Sequence, residues 1–277
     1  MPQNQRGCGI GDSPPILDAG PGSKIQNPKS KIQNPKLEVS MQREHHKWFS
    51  PHLNKEMDLL IFGTGGRPVL AFPTSMGRYY QNEDFSLINT LTDRLDSGSL
   101  QIVCVDSVDE ESWYDRSIPA RQRAERHNNF ERYLIQEVIP WFAERNPRAR
   151  EDLNVTGASF GAYHAANFGF KHPDIVKRIL AMSGAYSLAF ITRTEMDTEV
   201  YFNSPLDYLP NLNDDWYLSR MRQQEIILAV GSEDICRAST EQLSQVLWNK
   251  GVPNNLDVWG GAWHDWPWWK LMVLKYF

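Results

Sequence analysis

The chain has 277 residues, 41% hydrophobic and 12% aromatic, with three cysteines and a formal net charge of −5. That length and composition suit one large globular α/β domain able to bury a sizeable core. The acidic balance recommends no nucleic acid as partner. The absence of an apolar run of about eighteen residues gives no membrane span. The three cysteines, Cys8, Cys104 and Cys236, are too scattered for a disulfide framework or a zinc site. With no apolar secretory core at the N-terminus, a reducing cytoplasm is the expected compartment.

Residues 1–40 contain no Phe, Trp or Tyr and carry a tandem repeat, Ser23 to Lys29 and then Ser30 to Lys36, each reading SKIQNPK. Such a segment buries too little apolar surface to offset its ordering entropy, so the expectation is a disordered tail ahead of a domain spanning 41–277. Translation starting at Met41 is the alternative reading of the same feature.

From Met41 the chain alternates strand and helix signals. His46 to Ser50 and Lys55 to Phe62 read as a hairpin. Arg67 to Phe72 and Leu100 to Val105 read as short buried strands. Asp84 to Leu95 is amphipathic and fits a helix. Val105 leads into Asp109-Glu110-Glu111, which reads as a solvated loop, and then Trp113 and Tyr114 at the strand's C-terminal side. Pro119 to Arg145 is a long helical stretch, with Phe130, Leu134, Val138 and Phe142 at intervals of four and a kink expected at Pro140. Leu153 to Thr156 is a strand, and Val176 to Met182 another. Residues 185–220 are irregular and rich in Asp, Asn, Pro and Tyr, which reads as an insertion on the substrate side. Ile226 to Gly231 and Leu256 to Trp259 are the last strands. Apolar strands alternating with helices imply a mostly parallel sheet covered on both faces.

Gly157-Ala158-Ser159-Phe160-Gly161 carries the chemistry. This G-x-S-x-G follows a strand and opens a helix, the context of a nucleophile elbow. An acid and a histidine must then follow along the chain, each just past a strand, because open α/β sheets keep their sites at the carboxyl ends of strands. Asp234 follows the strand ending at Gly231, and His264 follows the strand ending at Trp259. Glu233 and Asp257 compete for the acid's role. Of seven histidines, only His264 follows the last strand; His164, one turn into the elbow helix, reads as a packed structural residue. Trp259, Trp263, Trp266, Trp268 and Trp269 crowd His264, most of them as core packing.

From Met41 to Phe277 the chain resembles the esterase D-like branch of the α/β-hydrolases, within it a bacterial group of uncharacterised esterases. The resemblance rests on Val69-Leu70-Ala71-Phe72-Pro73-Thr74-Ser75-Met76-Gly77, on Val105-Asp106-Ser107 through Glu111-Ser112-Trp113-Tyr114, on the elbow, and on Gly260-Gly261-Ala262-Trp263-His264-Asp265-Trp266. It implies an α/β-hydrolase fold and a serine hydrolase or acyltransferase with no cofactor and no metal. It does not fix the substrate. Many members carry His-Gly where this chain has Pro73-Thr74, so Ser75 falls where an oxyanion-hole amide is supplied. The expected set is Ser159 as nucleophile, His264 as base and Asp234 as its orienting acid. The amides of Phe160 and Ser75 are the oxyanion donors, and Trp113, Tyr114 and Trp263 the candidate pocket walls. The expected partner is a small short-chain or aryl ester. An alcohol acceptor, or binding without catalysis, are the alternatives.

Overall fold

The protein is described by a computed structural model covering residues 41–193 and 196–277; the tail and its repeat lie outside the described residues. Eight strands form one sheet: β1 (Arg43–Ser50), β2 (Lys55–Phe62), β3 (Arg67–Phe72), β4 (Leu100–Val105), β5 (Leu153–Ala158), β6 (Val176–Met182), β7 (Glu225–Gly231) and β8 (Asn255–Trp259). Their order is β1-β2-β4-β3-β5-β6-β7-β8. The β1–β2 and β2–β4 pairs are antiparallel, and from β4 through β8 the pairing is parallel.

The central strands β4 and β5 are buried along their whole length, which is why their sequences are apolar runs rather than alternations. One face packs on helices Ala120–Tyr133, Phe160–Lys171 and Arg237–Asn249, through residues such as Phe130, Ala165 and Leu247. The other face packs on Trp266–Tyr276 and the short helix Thr92–Asp96, through Trp269, Met272 and Leu95. Burying a Leu or Phe fully is worth about 2 kcal/mol, so these two layers supply the bulk of the driving force. The edge strand β8 is the exception: it pairs with β7 alone, and none of its five residues is fully buried.

Two expectations need correction. The amphipathic stretch Asp84 to Leu95 is not one helix. It breaks into Gln81–Asp84, a 3₁₀ turn at Asn89–Leu91 and Thr92–Asp96, with Ser86 left-handed at φ 60° between them. The stretch Pro119 to Arg145 is helical throughout, but the proline is accommodated by a π-turn, Leu134–Val138, ahead of Ile139–Arg145. A wider i→i+5 turn makes room where Pro140 cannot donate and would clash with the preceding turn. The π-turn also presents Glu137, whose carboxylate accepts from Trp48 Nε1, Ser50 Oγ and His52 Nδ1. Burial pushes that carboxyl up, and the three donors more than offset it and leave it below the ordinary glutamate range. The hairpin β1–β2 is thereby clasped to the helix layer.

Candidate active site

The strand-to-helix turn after β5 is strained and tightly packed. Ser159 sits at φ 56°, ψ −124°, a conformation costing about 1–3 kcal/mol for a residue with a Cβ. It is possible only because its neighbours two before and two after are glycines. A Cβ on Gly157 would lie 2.3 Å from the Gly161 carbonyl oxygen, and one on Gly161 would lie 2.4 Å from that of Pro73. The Ser159 amide donates to the Met182 carbonyl of β6 at 2.9 Å, which fixes the turn to the sheet. The hydroxyl is left half-buried at the carboxyl edge of β5, at the start of helix Phe160–Lys171.

Three side chains from three loops form one hydrogen-bonded chain. Ser159 Oγ lies 2.9 Å from His264 Nε2, and His264 Nδ1 lies 2.9 Å from Asp234 Oδ1. The Asp234 side chain is fully buried and that of His264 is 20% exposed. Burial pushes the Asp234 carboxyl up. Hydrogen bonding to His264, the nearby Ser183 hydroxyl and the Cys236 amide outweigh it, leaving the group below its ordinary value and therefore ionised. The ionised carboxylate only accepts, so His264 Nδ1 carries the proton and Nε2 offers its lone pair to the serine. Trp269 packs edge-on against the His264 ring at 5.0 Å, and its Nε1 donates to Ser183 Oγ. The β7 and β8 turns are stitched together by Glu233 N to Ala262 O and by Ser232 N to Trp259 O.

The loop after β3 lies against the start of the elbow helix, where Gly161 meets the Pro73 carbonyl, and much of its polar surface is pinned. The Thr74 amide donates to Gln81 Oε1, the Met76 amide to Asp109 Oδ2 at 2.9 Å, and the Gly77 amide to Thr74 O. Arg78 makes a bidentate pair with Asp106. Between them the Ser75 amide has no acceptor among the described residues, while its hydroxyl accepts from Tyr114 OH at 2.8 Å. The Phe160 amide, first in its helix, likewise has no carbonyl a turn earlier to bond. The amides of Phe160 and Ser75, the expected oxyanion donors, are thus both without a hydrogen-bond acceptor among the described residues.

Other expected residues fall differently. Tyr114 is half-buried, with its ring edge-on to Phe160 at 5.4 Å. Trp263 is 53% exposed beside His264. Trp113 needs correcting: it is fully buried against His127, so it is core and not a pocket wall. The acidic run also needs correcting. Only Glu110 is exposed. Asp109 is buried, bonded to Met76 and to His164, and Glu111 pairs with Lys55 and Arg126. The rivals for the acid point elsewhere: Glu233 is exposed, and Asp257 accepts from Trp259, Lys275 and Tyr276. The remaining histidines each have other surroundings. His45, His46, His52 and His172 face carboxylates remote from Ser159. His127 is buried, and that burial holds its ring well below the usual histidine range.

One group of three potential ligands occurs among the described residues: a carboxylate oxygen of Asp234, the thiol of Cys236 and a ring nitrogen of His264 lie within 4.8 Å of one another. The Asp234–His264 hydrogen bond and the two-residue step from Asp234 to Cys236 account for their proximity. Burial pushes the Cys236 thiol up to about 12. A cavity of about 520 Å³ lies elsewhere. It is lined by Phe170, Lys171, Tyr201, Tyr208, Leu212 and Tyr217. Helix rise puts it roughly 17 Å from Ser159, at the far end of the elbow helix, so its size is no guide to the chemistry. The segment 185–220 is therefore divided: Phe190 reaches the Phe160 ring at 6.4 Å, while 201–217 packs around that distant cavity.

A mostly parallel sheet with a serine on a strained strand-to-helix turn at its carboxyl edge defines the α/β-hydrolase fold. Solved structures of that fold are similar over most of the chain. A ferulic acid esterase covers 85% of this chain and 96% of its own at 20% identity and a TM-score of 0.69. An S-formylglutathione hydrolase from Staphylococcus aureus covers 85% and 94% at 14% identity and 0.65. A ferulic acid esterase from the anaerobic fungus Anaeromyces mucronatus covers 89% and 92% at 16% identity and 0.63. No curated protein sequence matches the chain. Residues 50–275 match the esterase family described as "Putative esterase", and the chain belongs to that family. It is an ester hydrolase by family. Among the described residues, no helix is long and apolar enough to cross a membrane.

Proposed function

We propose that the protein hydrolyses carboxylic esters through an acyl-enzyme on Ser159. The observation that carries this reading is the 2.9 Å plus 2.9 Å chain from Ser159 through His264 to Asp234. His264 Nε2 takes the hydroxyl proton as Oγ attacks the ester carbonyl. The carbonyl electrons move onto oxygen, and the Phe160 and Ser75 amides receive that charge; each such donor is worth about 3–4 kcal/mol at the transition state. Collapse expels the alcohol, to which His264 returns the proton. Water, deprotonated in turn by His264, then attacks the acyl carbonyl and frees Ser159. Asp234 holds the imidazole in the required tautomer throughout and stabilises the imidazolium.

The rings of Tyr114, Phe160, Phe190 and Trp263 around the serine favour a short-chain or aryl ester. The ferulic acid esterases of similar fold accord with an aryl acyl group. The small number of cysteines fits a reducing cytoplasm. The test is a panel of p-nitrophenyl acyl esters and methyl hydroxycinnamates with stopped-flow detection. Expected are a burst of one equivalent of alcohol per enzyme and rates that fall steeply beyond butyryl. A transfer product that outcompetes free acid when alcohol is added would reassign the enzyme as an acyltransferase. No turnover and no labelling by a fluorophosphonate would leave only a binding role.

A further inference from the structure

We propose that the buried pair Asp109–His164 is a positioning device that sets the spacing of the two oxyanion amides; this rests on the serine mechanism above. Asp109 uses its two oxygens in two directions. Oδ1 lies 2.9 Å from His164 Nε2, and Oδ2 accepts the Met76 amide at 2.9 Å. His164 stands on the elbow helix, and its ring packs edge-on against Phe160 at 4.9 Å. One carboxylate therefore ties the helix that begins with the Phe160 amide to the loop that carries the Ser75 amide. The same turn acts a second time on that loop: the Asp109 carbonyl accepts the Tyr114 amide, and Tyr114 OH donates to Ser75 Oγ.

The geometry is more than packing requires. The Asp109 and His164 side chains are 1% and 2% exposed, in a cage that includes Phe72, Phe130 and Phe160. An apolar side chain would fill that cage without the desolvation a buried acid and imidazole incur. His164 Nδ1 has no partner among the described residues, so the one hydrogen bond the ring makes is the one to Asp109. What the pair gains is a fixed loop. Met76 sits at φ 53°, a strained backbone for a residue with a side chain, and the Asp109 bond to its amide holds it there. Released, Met76 relaxes toward ordinary backbone angles, and the Ser75 amide, one residue earlier, turns away from Ser159.

Asp109→Leu tests this, because an apolar side chain of similar shape accepts from neither Met76 nor His164. Expected are a kcat for p-nitrophenyl acetate 10- to 100-fold lower, KM within twofold, and an inhibition constant for an aryl trifluoromethyl ketone weakened by the same factor as kcat. That ketone forms a tetrahedral oxyanion on Ser159, so its affinity reads the donors and not the fold. His164→Phe fills the cage without a donor and should show the same split between kcat and KM; it decides the matter if the Asp109→Leu variant does not fold. Unchanged kcat and ketone affinity in a folded variant overturns the positioning role and leaves the serine mechanism standing. Full activity in Ser159→Ala would overturn the serine mechanism itself.

Discussion

Ser159→Ala is expected to lower kcat for short aryl esters by about 10⁵- to 10⁶-fold, the scale seen when a serine hydrolase loses its nucleophile. Covalent labelling by a fluorophosphonate should vanish with it. The melting temperature should change little, because among the described residues the Ser159 hydroxyl makes its one hydrogen bond to His264. The strained turn persists too, since alanine meets the same backbone demand at φ 56° as serine. Labelling that survives the substitution would place the nucleophile on another residue.

Asp234→Asn should cost about 10⁴-fold in kcat, in line with the amide substitution of a triad aspartate. The Asn oxygen can still accept the Cys236 amide, now at 2.7 Å from Asp234 Oδ1, so the turn stays in place. That same oxygen also faces His264 Nδ1, so the amide keeps both bonds but loses the negative charge that stabilises the imidazolium; the flipped amide sets NH₂ against Nδ1 and forces the imidazole proton to Nε2, where it blocks acceptance from Ser159. The loss therefore falls on kcat and spares KM. Glu233→Gln and Asp257→Asn should each stay within about threefold of the parent, since both carboxylates face away from His264. Near-normal kcat in Asp234→Asn with a dead Glu233→Gln would mean that the neighbouring carboxylate is the one that orients the base.

Much of this molecule is legible in its residue order. The parallel strands announce themselves because burial on both faces forces apolar runs; Ser159 and Asp234 follow such runs by only a few positions, and His264 follows the short edge strand β8. The His164 reading as a packed residue also holds. What escapes is whatever depends on partners far along the chain. Asp109 reads as one of three acids in a solvated turn, yet its hydrogen-bond partners are Met76 and His164, 33 and 55 residues away. Trp113 and Tyr114 are adjacent and chemically alike, but the first turns into the core and the second toward Ser75. Period and propensity do not distinguish two such neighbours. The amphipathic stretch from Asp84 fails for another reason: Phe85 is drawn outward to stack on Trp266 at 4.5 Å, and Ser86 breaks the helix behind it.

The position of β8 has a consequence for how the enzyme fails. Ser159 is rooted in the middle of the sheet, where unfolding a strand means unfolding everything. His264 hangs from the outermost strand, which is held on one side only and has no fully buried residue. Elements of that kind open locally at a lower free energy than the global transition. The proposed base should thus be the first piece of the site to leave. In a urea series, esterase activity should be lost at a lower midpoint than the far-ultraviolet circular dichroism signal, and amides of 255–264 should exchange before those of β5. An aryl boronate bridging Ser159 to the His264 side of the site should draw the two midpoints together. Coincident midpoints in its absence would show that the edge opens only with the whole fold.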